Sequence, residues 1–219
     1  MRINADFSRR AVVVPDNGDW VASPASGVER LMLDRIGDEV ARATSIVRYT
    51  AGSSFESHTH ALGEEFLVLE GTFSDQHGDY RAGTYVRNPP GSRHSPFSRN
   101  GCRILVKLRQ FDPEDQQAVV VHTTDTAVWT APGSDGISTL PLYKYGAERV
   151  LMMRLGAGCV VPLGIDSGGA ETLIVSGSIE FDGDLLPAES WLRLPRGDTV
   201  NVVAAEDSLL WMKTGHLPA

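Results

Sequence analysis

The stretch GSSFESHTHALGEEFLVLEG, residues 52–71, decides how this chain is read. Gly52 is followed after five residues by His58, after one more by His60, after three by Glu64 and after six by Gly71. A second stretch, GTYVRNPPGSRH at residues 83–94, sets Pro89 and Gly91 ahead of His94. His58 and His60 are two apart, so on an extended strand both side chains leave the same face. Glu64 opens an apolar run after the turn Ala-Leu-Gly, and His94 follows a Pro-Pro-Gly turn. Three imidazoles and one carboxylate converging inside a barrel can bind a divalent metal through N and O ligands. A lone histidine is ordinarily a hydrogen-bonded structural residue. Four candidate ligands, three histidines and one glutamate, in register with four spaced glycines and prolines outweigh that reading. Glu65 competes with Glu64, but strand alternation lets only one of them point inward, and Glu64 is the expected ligand. His77, His122 and His216 lack such a context and are expected at the surface.

Working outward, the chain repeats itself. Gly52, Gly71, Pro89 and Gly91 recur at one constant offset as Gly158, Gly177, Pro195 and Gly197. Upstream, Trp20 and Gly27 recur as Trp129 and Gly136, at an offset three positions longer. Two copies of one unit follow, about 1–112 and 113–219, with the polar segment QFDPEDQQ (110–117) as linker. Each copy is rich in short β-branched and aromatic runs bounded by Gly, Pro, Asn or Ser: SIVRYT, EFLVLEG and CRILVKLRQF in the first, VLMMRL, ETLIVSG and SLLWMKTG in the second. No long run has helical periodicity. The fold class is therefore all-β, two tandem jelly-roll barrels. At the constant offset the ligand positions become Gly164, Asp166, Ala170 and Val200, so the second copy keeps the turns and loses the ligands, with Asp166 alone left open as a ligand. Its expected role is structural, as an intrachain pseudo-dimer partner of the first, with a homodimer left open.

Both stretches resemble the two motifs of the cupin superfamily, nearly position by position. The departure is Ser98, where cupins usually carry Asn. HTHALGEEFLVLEGTFSDQHGDYRAGTYVRNPPGSRH (58–94) is similar, more closely, to the cupin domain of ChrR-type anti-sigma factors. That resemblance implies a double-stranded β-helix fold for each copy and a zinc site on His58, His60, Glu64 and His94, with iron, manganese or nickel as alternatives. ChrR-like cupins also resemble small non-haem dioxygenases that use three histidines on iron. ChrR-type factors grip their sigma factor with a helical N-terminal domain carrying its own zinc site. No such helices and no Cys-x-x-Cys are found here, so direct sigma-factor binding is not expected. Three functions follow: a small-molecule metalloenzyme of the non-haem dioxygenase kind, a metal-dependent sensor, or a barrel stapled by structural metal. Strand parity offers Phe66, Val68, Tyr85 and Arg48 as pocket residues. No catalytic residue and no organic-cofactor motif is assigned.

The bulk properties fit. Apolar residues are 42% and charged residues 22% of 219, an ordinary globular balance. The net charge of −8 falls entirely on residues 113–219. Such a chain repels phosphate backbones, so nucleic acid is an unsuitable partner. Arg81, Arg87, Arg93, Arg99 and Arg103 are expected on solvated strand faces. No apolar run is long enough to span a bilayer or serve as a signal peptide. With Cys102 and Cys159 unpaired by motif, a reduced cytoplasmic setting and buried thiols are the expectation.

Overall fold

The apolar runs do form strands, in a computed structural model that describes residues 1–15, 20–133, 136–164 and 168–218. No α-helix occurs among the described residues, and no helix is long and apolar enough to cross a membrane. The chain divides into two compact units, Met1–Ala5 with Gly18–Thr124 and Asp6–Asn17 with Asp125–Ala219.

In the first unit an antiparallel sheet runs in the order Arg2–Ile3, Val28–Gly37, Ala41–Tyr49, Cys102–Leu108, Glu64–Asp75, Thr84–Asn88, Val119–His122. Facing it are Ser53–Ser54, Phe97–Ser98, Gly78–Arg81 and the far half of Glu64–Asp75. One long strand thus serves both sheets. It bends at Gly71, whose φ of 72° lies in the left-handed region. A Cβ there would sit 2.2 Å from the carbonyl oxygen of Gly101, so no side chain fits. Val47, Tyr49, Phe66, Phe73, Ile104 and Val106 fill the space between. Full burial of each such side chain contributes roughly 1.5–3 kcal/mol. A two-residue ladder, His58–Thr59 against Arg93–His94, lies at the end of this barrel and sets His94 directly opposite His58.

The second unit repeats the plan. One sheet runs Ile137–Tyr145, Glu148–Leu155, Ser208–Thr214, Ala170–Ser176, Trp191–Leu194, Ala11–Val13. The other runs Val160–Leu163, Val200–Ala204, Ser178–Phe181, Asp184–Pro187. The repeat extends to side-chain contacts. Arg48 stacks on Trp20 at 4.4 Å, and its counterpart Arg154 stacks on Trp129 at 3.8 Å.

Each unit takes its outermost strand from the other half of the repeat. Val119–His122, which opens the second copy, pairs with Thr84–Asn88. Ala11–Val13, near the start of the first copy, pairs with the corresponding edge Trp191–Leu194. The division read from the repeat, after residue 112, therefore differs from the structural one. The segment read as a polar linker is anchored, with Phe111 and Asp115 buried. Cys102 is buried, and burial pushes its thiol up to about 11. Cys159 is half-buried against the second core.

Candidate metal centre

Local rules bring the three histidines together. Alternation in the short strand His58–Thr59 and the residue after it puts His58 and His60 on one side, and the ladder register brings His94 across. Their ring centroids lie 4.7–5.0 Å apart. One nitrogen from each falls within 4.8 Å of the others, a spacing that could hold a metal ion. Glu64 approaches from the adjoining strand: its Oε2 is 3.4 Å from His60 Nε2 and 3.5 Å from His94 Nε2. Asn88, register partner of Glu64, donates to that oxygen at 3.0 Å.

The donor set fits a metal on an observation internal to the site. The Nε2 atoms of His60 and His94 are buried and reach no hydrogen-bond partner among the described residues. Leaving a buried ring nitrogen unsatisfied costs about 1–3 kcal/mol, and a metal ion at the centre removes that cost. The outer nitrogens are committed. His58 Nδ1 donates to the carbonyl of Glu56 at 2.9 Å, and His94 Nδ1 donates to Asp75 Oδ2 at 3.2 Å. Each contact leaves Nε2 as a lone-pair donor facing inward, the arrangement by which metal-binding histidines are oriented. Asp75 is itself fixed by the backbone N–H groups of His77 and Gly78.

Asp75 and Asn88 escaped the sequence reading. Their signal was present in the repeat, where the corresponding residues are Phe181 and Leu194. The second unit lost the supporting groups with the ligands. At its equivalent positions Gly164, Ala170 and Val200 carry no ligand atoms, and Asp166 lies outside the described residues.

The two carboxylates at 64 and 65 part as alternation requires. Glu65 faces away from the histidines and accepts from Tyr85 Oη at 2.6 Å and Arg87 Nη1 at 3.0 Å. The expected pocket residues need correction. Tyr85 belongs to this outer network, and Arg48 pairs with Glu29 at 2.6 Å in a half-exposed position. Phe66 and Val68 pack into the core and do not line the cavity. The cavity beside the histidines, about 750 Å³, is lined instead by Val47, Tyr49, Phe55, Ile104, Val106 and Leu108, with His58, His60 and Glu64 in its wall.

The outer network overturns two further expectations. Arg87 is 1% exposed and not on a solvated face. It pairs with Glu65 and, at 2.6 Å, with Asp115, and stacks on Phe111 at 3.9 Å. The same design recurs in the second unit. Glu171, Arg193 and Lys213 are buried like Glu65, Arg87 and Lys107. Trp191 Nε1 donates to Glu171 at 3.4 Å, as Tyr85 does to Glu65, and Arg193 stacks on Phe7 at 4.4 Å. His216, expected at the surface, has a side chain only 2% exposed and meets Glu171 at 3.1 Å. His77 and His122 are exposed as read.

Metal binding requires unprotonated imidazoles, so protons compete with it. Burial works against charge on His94, but the Asp75 hydrogen bond and the charge of Glu64 prevail and raise its pKa above 6.5. Burial keeps His60 below 6.5. On acidification His94 therefore charges before His60. Metal affinity is expected to fall as pH is lowered, with onset above 6.5. Asp75→Asn should move that onset to lower pH and weaken binding about 10–100-fold near neutrality. A competition titration with a metal-indicator dye from about pH 8 to 5 reads both effects. An onset unmoved by Asp75→Asn excludes the proton-holding role.

Two barrels of this topology, one with a three-histidine cluster at the end of its ladder, define a double-domain cupin. The sequence profile of the ChrR Cupin-like domain matches residues 8–112 and again 116–218, and the chain belongs to that family. Among curated proteins none matches the chain in sequence. Solved structures share the fold at low identity. The bacterial pirin YhhW of Escherichia coli, solved with nickel(II), is 13% identical with a TM-score of 0.72, over 94% of this chain and 98% of its own. A protein of Nostoc punctiforme, described as a candidate dioxygenase, is 13% identical with a TM-score of 0.74, over 96% and 84%. Salicylate 1,2-dioxygenase of Pseudoaminobacter salicylatoxidans, solved with gentisate adducts, is 12% identical with a TM-score of 0.61, over 95% and 81%.

Proposed function

We infer that the chain is a small-molecule metalloenzyme of the non-haem dioxygenase kind, with one divalent ion held by His58, His60, Glu64 and His94. The observation that carries this reading is the cavity of about 750 Å³ whose wall contains three of those four residues. A structural metal site is closed by its ligands, whereas a catalytic one keeps a position open to a ligand. Here His58 is half-buried and the cavity wall includes the apolar side chains of Val47, Phe55, Ile104, Val106 and Leu108, which suits a small organic molecule. A bound divalent ion supplies Lewis acidity and, where the metal is redox-active, electrons for chemistry with dioxygen. Zinc follows from the family resemblance; iron, manganese and nickel suit the same donors. The protein's own groups hold the reaction geometry. Asp75 orients His94, Asn88 orients Glu64, and the apolar side chains of the wall pack against the bound molecule.

A regulatory reading, in which a small molecule or oxidant is sensed at the same metal, is favoured by membership of the ChrR cupin-like family. Glu64→Gln separates the two. Three imidazoles should retain the ion while its charge environment changes, so in an enzyme turnover falls at least about tenfold at nearly constant metal content. The measurement is oxygen consumption by iron-loaded protein with a panel of small dicarbonyl compounds, alongside metal analysis. No turnover on any compound, together with a large chelator-induced fall in melting temperature, replaces the enzyme with the sensor or staple.

A further inference from the structure

The strand Cys102–Leu108 turns Ile104, Val106 and Leu108 toward the cavity. Simple alternation would send residue 109 to the opposite face, with Leu105 and Lys107. Arg109 lines the cavity instead, because its φ of 59° turns the chain out of the strand conformation. That left-handed region is unfavourable for a residue with a side chain. The second unit makes the same turn with Gly215, its counterpart in the repeat, at φ 74°. The backbone bond is also the same: Arg109 N–H donates to Gly63 and Gly215 N–H to Gly169, each at 3.0 Å. At Gly215 a Cβ would stand 2.2 Å from the carbonyl of Ala147, so the second unit admits only glycine. The unit bearing the histidines thus carries an arginine where its twin carries the residue that holds this conformation without strain. Strain of this kind on a non-glycine residue concentrates at functional positions.

A second observation concerns its charge. Arg30, the other arginine of the wall, is paired with Glu39 at 3.3 Å. Arg109 forms no ion pair among the described residues. The wall that Arg109 shares with His58, His60 and Glu64 includes the apolar side chains of Val47, Ile104, Val106 and Leu108.

We propose that Arg109 recognises an anion, and that the ligand of this cavity is a small organic carboxylate with an apolar body. The proposal rests on the reading of the histidine cluster as the metal end of the site. The carboxylate meets the guanidinium through paired N–H···O bonds, which a neutral oxygen cannot reproduce. The body lies on the aliphatic wall, and the far end of the molecule faces the histidines.

The test is calorimetric titration of the full chain with 3-phenylpropanoate and with its neutral counterpart 3-phenylpropan-1-ol, zinc-loaded and after chelation. The carboxylate is expected to bind about tenfold more tightly or better in both metal states, and Arg109→Gly and Arg109→Gln should each erase that preference while leaving the alcohol unchanged. Arg109→Gly should also melt no lower than wild type, since glycine relieves the left-handed residue, an outcome that a merely structural arginine would not give. Equal carboxylate affinity in wild type and Arg109→Gln, or no saturable binding of the carboxylate to wild type, overturns the proposal. Wild-type protein that takes up no divalent metal yet shows the carboxylate preference refutes the metalloenzyme and leaves the anion site standing. Metal bound at one equivalent with no carboxylate preference does the reverse.

Discussion

Changing His58 and His60 together to alanine is expected to reduce bound metal from one equivalent per chain to a trace. Removal of a single orienting group outside the ligand shell costs about 10–100-fold in affinity, so loss of two direct ligands should exceed about 10³-fold. His94 and Glu64 remain, but two ligands of mixed type do not hold a divalent ion against buffer or chelator. The second unit offers no substitute at Gly164, Ala170 and Val200. Stability should follow. A ligand that binds only the folded state adds about 4 kcal/mol when present at roughly 1,000 times its dissociation constant. For a chain of this size that corresponds to a melting temperature lower by on the order of 10 °C. Chelated wild type and the double variant should then melt together, because both lack the same contribution. Elemental analysis and paired melts with and without chelator make the check. Two equivalents on wild type, or one retained on the variant, would sink the single-site reading.

The parts of this molecule that were legible in sequence are those written locally. His58, His60 and Glu64 fall within one hairpin-sized stretch, and His94 sits across a two-residue ladder set by the Pro-Pro-Gly turn. The all-β class and the duplication were legible because turn glycines recur at one offset. What escaped depends on pairing over long separations or on broken periodicity. Ala11–Val13 meets Trp191–Leu194 across nearly the whole chain, and nothing in either short segment names the other. The pocket reading failed where alternation failed: Arg109 reaches the cavity through a left-handed residue, and the choice of Tyr85 followed the wrong face of its strand. The buried charges were misread for a different reason. Arg87 and Arg99 look alike in a strand-rich sequence, yet one is 1% exposed and the other stands in solvent. The repeat distinguishes them, since Glu65, Arg87 and Lys107 recur as Glu171, Arg193 and Lys213 while the metal ligands do not recur. Residues kept in the copy that lost the ligands serve the fold.

That distinction sets the second large expectation, that Arg87→Met destabilises the chain by about 3–5 kcal/mol. Glu65 and Asp115 are each 1% exposed, and both approach the guanidinium within hydrogen-bonding distance. Methionine preserves most of the volume and the apolar contact with Phe111, so the effect isolates the charge. With arginine gone, both buried carboxylates lose the cation they share, while Tyr85 still donates to Glu65. Burial and the neighbouring Glu65 hold the Tyr85 phenol well above its ordinary value, so it continues to donate but cannot neutralise. Buried carboxylates deprived of the cation they share are costly to keep charged. Urea unfolding at neutral pH reads the loss as a lowered midpoint at unchanged slope. Arg99→Met is the matched control: Arg99 pairs with Asp79 at 3.1 Å with 65% of its side chain in solvent, and its loss should stay within about 0.5 kcal/mol. If the two variants unfold at the same midpoint, the buried network contributes nothing beyond a surface pair, and its retention in both copies requires another cause.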